Sequence, residues 1–232
     1  SIACSAPTSR PPADRILGQL AATQPVEGVE IIPLSLHVDY WNRLGWKDPF
    51  SSAAFSERQA AYGRRFSGDR VYTPQMVVDG ATELIGSDES RARAAIVAAS
   101  RSAKANLTVK PTFHADGAVT IEVSVSAGNV LAPDETANLV LALSEEGLAS
   151  QVTAGENSGR RLPHTAVVRS LTTLGRLRGS DGNYRASRRI EPPRGGGLAM
   201  VRAVVFLQEE LSQRVVGVAR TPLLARLAAA PR

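Results

Sequence analysis

The stretch Val71–Gly80, VYTPQMVVDG, constrains the fold more than any other in the chain. Proline lacks the N–H that a sheet ladder needs, so within sheets it is confined to strand starts, edges and bulges. Pro74 stands directly before the apolar run Gln75–Val78, and Asp79-Gly80 then leads into Ala81–Ile85. Asp-Gly between two strand-like runs is a strong hairpin signal. Pro74 therefore opens a strand whose far end turns tightly into its neighbour.

Around this hairpin, the first half of the chain alternates helix and strand signals. Pro11 and Pro12 occupy helix-start positions after Thr8 or Ser9 as N-cap, and Ile16, Leu17 and Leu20 make an apolar stripe within Ala13–Ala22. Val29–Val38 is short and apolar enough for a buried strand, although Pro33 weakens its first half. Ser51, with Phe50 before it and Phe55 after it, has the pattern of an N-cap with a hydrophobic staple, predicting a helix to about Phe66. Ser87 caps a further helix through about Ala103, with Asp88 and Glu89 in the first turn, where the macrodipole favours negative charge.

Beyond residue 105 the period changes. Leu107–Val109, Val119–Val125, Leu139–Leu143, Thr165–Leu171, Leu198–Leu207 and Val215–Ala219 read as strands, with Asp116-Gly117 as a hairpin turn. Their spacing predicts an antiparallel β-sandwich over 105–221, after an N-terminal domain over 1–104 and before a tail at 222–232. Residues 192–197 read as a flexible loop. The order helix, strand, helix, Pro-led strand, hairpin strand and helix is that of a thioredoxin-like fold, once a strand is placed in front. The expected fold is thus a thioredoxin-like α/β domain followed by an all-β sandwich. In such folds a cis-proline opens the strand beside the first helix, so the Thr73–Pro74 bond is expected to be cis.

Composition narrows the function. No apolar run approaches the ~18 residues of a membrane span. The net charge of +5 comes from scattered arginines without interleaved aromatics, which argues against nucleic acid as a partner. The single cysteine, Cys4, excludes an internal disulfide within these residues and any multi-cysteine metal site. No nucleophile–His–Asp spacing is apparent, and Gly195–Gly197 lacks the Lys-Ser/Thr of a phosphate loop.

The runs RPPADRILGQLA, PLSLHVDYWNRLGWKDPFSS, FSERQAAYGRRF and VYTPQMVVDGATELIGSD, with the later GENSGRRLPHTAVVR, resemble the bacterial family called domain of unknown function 1223. The resemblance spans nearly the whole chain and implies a secreted or periplasmic thioredoxin-like protein, with no established reaction. Family members read Cys-Ser-Ser-Cys-Pro-Pro-Ala-Asp where this chain has Pro7-Thr8-Ser9-Arg10-Pro11-Pro12-Ala13-Asp14. Pro7 and Arg10 thus replace both thiols of a Cys-x-x-Cys, and Pro7, Arg10, Pro11 and Pro12 form a degenerate redox motif. Neither proline nor arginine can attack or resolve a disulfide. The front strand that the family places before this motif is reduced here to SIACSA, which reads as truncated.

His37-Val38-Asp39 ends the second strand, and Asp48 follows in a loop with Tyr40, Trp41 and Trp46. Two or three hard ligands are too few for a convincing metal site. The simpler reading has His37 bonded locally, Asp39 and Asp48 bracing the turn, and the tryptophans packed beneath. Glu156-Asn157 and His164 read as a hairpin brace. No cofactor is expected. Two functions stay open. One is a redox-silent binding or scaffold protein whose groove of Thr73, Pro74, His37, Asp39 and Trp41 takes an extended peptide. The other is a thiol–disulfide oxidoreductase whose Cys-x-x-Cys lies outside this chain.

Overall fold

The computed structural model describes residues 2–6, 11–66, 68, 70–153, 158–193 and 200–223. The first half holds β1 (Ile2–Ala6), α1 (Pro11–Thr23), β2 (Ile32–Ser35), α2 (Ala53–Phe66), β3 (Gln75–Val78), β4 (Thr82–Ile85) and α3 (Glu89–Ser100), with a 3-10 turn at Tyr40–Leu44. Among the described residues the second half is strand apart from a 3-10 turn at Gly179–Asp181: β5 (Asn106–Phe113), β6 (Val119–Ser126), β7 (Thr136–Glu145), β8 (Ala149–Gln151), β9 (Arg161–Pro163), β10 (Val167–Arg178), β11 (Asn183–Ile190), β12 (Val201–Glu209) and β13 (Val215–Pro222).

Eight strands from both halves form one mixed sheet in the order β13-β12-β7-β10-β2-β1-β3-β4. The junction is a single parallel rung, Val167 against Ser35, with the Ser35 N–H donating to the Ala166 carbonyl at 2.9 Å. This overturns the expected thioredoxin-like α/β domain followed by a separate antiparallel sandwich. The N-terminal strands are not a sheet of their own but one end of a mostly β architecture. The three-stranded sheet β11-β6-β5 does pack over β7 and β12, yet its opposing layer is the same long sheet that carries β1–β4.

Alternation along the strands explains the layers. Ile32, Leu34, Val140, Ala142, Val204 and Phe206 bury one face with Phe55 of α2. On the other face, Leu139, Leu141, Ala203 and Val205 meet Val119, Ile121, Val123 and Val125 of the small sheet. At the β3 end the cover is helical: Ile16, Leu17 and Leu20 of α1 and Ala92, Ala95 and Ile96 of α3 pack with Met76, Val78 and Leu84. Each fully buried Leu, Ile or Phe contributes about 1.5–3 kcal/mol.

Several local expectations need adjusting. The SIACSA segment does supply a front strand: β1 lies between β2 and β3, with Cys4 in register with Leu34 and Val77. Asp88 rather than Ser87 caps α3, accepting the Arg91 N–H at 3.0 Å. Ser51 does not cap α2; its hydroxyl donates to the Asp48 carbonyl and accepts from Asn42. β11, rich in arginine and mostly exposed, has no apolar run to announce it. The Thr73–Pro74 peptide is cis, as expected.

Candidate functional site

The residues expected to share one groove divide between a surface and an interior. Pro7 and Arg10 lie outside the described residues. Pro11 and Pro12 open α1, where a missing N–H costs nothing. A Cβ on Gly86 would lie 3.2 Å from Pro74 Cβ and 3.3 Å from Ala13 Cβ, so Gly86 sits close against both Pro74 and the first turn of α1.

The surface part centres on Trp41, which is 38% exposed and whose indole N–H donates to Thr73 Oγ1 at 3.2 Å. Tyr40 tilts against it with ring centroids 5.5 Å apart, and the Tyr40 hydroxyl donates to Gln59 Oε1 at 2.7 Å. Gln59 in turn donates to the Tyr72 carbonyl at 2.9 Å, which ties the aromatic turn to the strand that Pro74 opens. Burial, partly offset by the Gln59, Thr73 and Trp41 contacts, pushes the Tyr40 hydroxyl above its ordinary pKa. Asp39 points elsewhere: its carboxylate accepts from Ser56 Oγ at 2.6 Å, and its N–H donates to the same oxygen at 3.0 Å. It fastens the 3-10 turn to α2.

His37 belongs to the interior. It is 1% exposed, and its Nδ1 lies 2.5 Å from Asp48 Oδ2. Asp48 also accepts the Phe50 N–H at 2.9 Å, while its own N–H donates to Asn42 Oδ1 at 3.0 Å. Burial raises the Asp48 carboxyl, but the His37 bond and charge, the Phe50 N–H and the charge of His164 outweigh it, so the group lies below its ordinary value. The His37 ring stands edge to face against His164, with centroids 4.7 Å apart, and Phe50 edges both rings.

His164 comes from the opposite half of the chain. It sits between β9 and β10, where Ala166 takes the left-handed backbone conformation (φ 48°) and Glu146 Oε2 accepts its N–H at 3.0 Å. His164 Nε2 lies 2.8 Å from Ser150 Oγ on β8, and its Nδ1 lies 3.4 Å from Asp14 Oδ2 on α1. Serine, histidine and aspartate thus stand in the order of an acyl-transfer triad, which their sequence spacing did not reveal. Ser150, however, is 2% exposed in mid-strand. Its hydroxyl is spent on holding His164, and the arrangement is a brace between the β8–β9 hairpin and α1. The hairpin-brace reading of His164 fits this geometry, while Glu156-Asn157 lies outside the described residues. Among the described residues no group of three or more His, Cys, Asp or Glu side chains is disposed to hold a metal.

A single curled mixed sheet with helices on both faces, and a histidine–carboxylate cluster where its two halves join, defines a mostly β protein. The family described as protein of unknown function (DUF1223) matches residues 2–208, and the chain belongs to it. No curated protein matches the chain. A crystal structure of a protein from Agrobacterium tumefaciens is similar at 24% identity and TM-score 0.72, over 96% of this chain and 94% of that one. HBP35 of Porphyromonas gingivalis is similar at 10% identity and TM-score 0.64, over 99% of this chain and 79% of that one. At these identities the likeness is one of fold.

Proposed function

We propose that this chain is an exported, redox-silent binding protein that takes an extended peptide segment across Trp41 and the open edge of β4. The observation that carries the reading is the half-exposed Trp41 ring, held in place by Thr73 rather than packed into the core. Thr73 leads into Pro74, whose carbonyl accepts the Gly86 N–H at 2.9 Å just past the end of β4. Trp41 is thereby tied to the end of the sheet where β4 is the outermost strand. Ile85 on that strand is 51% exposed. An edge strand offers unpaired N–H and C=O groups to a peptide backbone, and a rigid aromatic anchor offers it apolar area. Redox silence is supported by Pro7 and Arg10 at the expected thiol positions, and export by the family resemblance.

The test uses reduced, carboxymethylated ribonuclease A, an unfolded chain without tryptophan, titrated against the emission of Trp41 and Trp46. A saturable change with Kd below about 100 μM is expected, with none for folded ribonuclease A. Trp41→Ala, which keeps Trp46 as reporter, should abolish it when binding is read by anisotropy of a labelled probe. Equal binding by the variant, or none by the native chain, overturns the reading.

A further inference from the structure

Between the β3–β4 turn, the segment after α3, the β6–β7 loop and the β12–β13 turn lies a cavity of about 210 Å³. Lys104, Arg214 and Asp79 line it, and Ala103, Val130 and Val216 give it apolar walls. Drug-sized sites run to roughly 300–1,000 Å³, so this one suits a compact ligand.

The charges on its walls are not equally engaged. Asp79 is 2% exposed and lies 2.8 Å from Lys104 Nζ, which also donates to the Val215 carbonyl at 2.7 Å. An ammonium carries three N–H donors, and the third has no acceptor among the described residues. Arg214 is exposed, and its Nε and backbone N–H both meet Ser212 Oγ at 3.3 Å, which sets the direction of the side chain. Its two terminal nitrogens have no hydrogen-bond or ion-pair partner among the described residues. Glu209, at the end of β12, is buried and accepts the Leu211 and Ser212 N–H groups instead. A planar guanidinium with its outer N–H groups open is shaped for the two oxygens of a carboxylate.

We propose that this cavity binds a small monocarboxylate with a short aliphatic body. The carboxylate pairs with the Arg214 fork and takes the spare Lys104 N–H, while the body lies against Ala103, Val130 and Val216. Arg214 and Asp79 belong to turns at opposite ends of the sheet order, so the bound acid braces the two ends together. The proposal does not rest on the peptide-binding reading.

The probe is n-butyrate, with n-butanol and n-butylammonium as controls of the same chain length. In proton–nitrogen correlation NMR, butyrate should shift the Lys104, Val130 and Arg214 amide signals saturably, with Kd of about 5 mM or below. Neither control should saturate there. Arg214→Gln should weaken butyrate binding at least about tenfold. Ala103→Leu, which leaves the fork intact and fills the cavity, should weaken it by a similar factor. Both positions are exposed, so both variants are expected to fold. Saturating butyrate should also raise the melting temperature of the native chain and not that of Arg214→Gln. Shifts that stay linear in butyrate, equal binding of either control, or unchanged affinity in Arg214→Gln overturn the proposal.

Discussion

A Cβ added to Gly80 would lie 1.8 Å from the Gln213 carbonyl oxygen, so the β3–β4 turn and the β12–β13 turn press backbone to backbone. These turns belong to opposite ends of the sheet order, and their contact shows how far the sheet curls. The Val215 N–H donates to the Asp79 carbonyl at 2.7 Å, and Lys104 Nζ lies 2.8 Å from Asp79 Oδ2 and 2.7 Å from the Val215 carbonyl. Gly80 also has φ +62°, a conformation other L-residues adopt at a cost. Gly80→Ala is therefore expected to destabilise the protein by about 3 kcal/mol or more, read as a lowered urea midpoint.

Phe206 fills the core between the long sheet and α2, fully buried beneath the Arg58 guanidinium at 5.4 Å. Phe206→Ala is expected to cost about 3–5 kcal/mol in urea unfolding, from lost transfer energy and the cavity left behind. Leu211, 91% exposed at the β12–β13 turn, supplies the contrast. Leu211→Ser should stay within about 0.5 kcal/mol of the native chain.

The hairpin at Asp79-Gly80 and the strands β6, β7, β12 and β13 were legible because each has local chemistry or a clean period, whereas the Ser51 cap with its Phe50–Phe55 staple was misread: Ser51 braces the Asp48 turn and Phe50 packs against His37 and His164. The sheet's continuity was not. It depends on one rung between Ser35 and Val167, and neither residue differs in type from those of any buried strand. The family resemblance pointed toward a separate N-terminal domain for the same reason: local element order says nothing of what pairs with the outer edge of β2. The His37–His164 cluster was half legible. His37 and Asp48 share a short segment, whereas Asp14, Ser150 and His164 are joined only by folding, and buried polar contacts leave no periodic trace.

Asp48 sets an expectation for acid stability. Its folded pKa lies below the ordinary value, held down by His37, the Phe50 N–H and His164 against the opposing effect of burial. A depressed carboxyl contributes stability that is full above its unfolded pKa and is lost as pH falls through the folded value. Asp48→Asn should therefore flatten the native chain's loss of stability below about pH 4, the unfolded carboxylate range. At neutral pH the variant should be less stable by about 1–3 kcal/mol, because the one amide oxygen of asparagine can serve only one of the two groups, His37 Nδ1 and the Phe50 N–H, that the two carboxylate oxygens of Asp48 now hold. Urea unfolding at a series of pH values from neutral to acid reads both effects.

Redox silence is the last expectation, and the simplest to test. The chain has one cysteine, and it lies on β1 flanked by β2 and β3, in register with Leu34 and Val77. A thiol in the middle of a central strand is not at a helix start, and without a second thiol a mixed disulfide formed there has no internal group to resolve it. In insulin reduction driven by dithiothreitol, the chain is expected to show no turnover above dithiothreitol alone. Turnover that Cys4→Ser abolishes would show the silence to be wrong. The Pro7→Cys/Arg10→Cys variant separates cause from scaffold. If it gains turnover, absence of the two thiols explains the silence. If it stays inactive while folding normally, silence belongs to the surroundings of α1 and not to the two substituted positions.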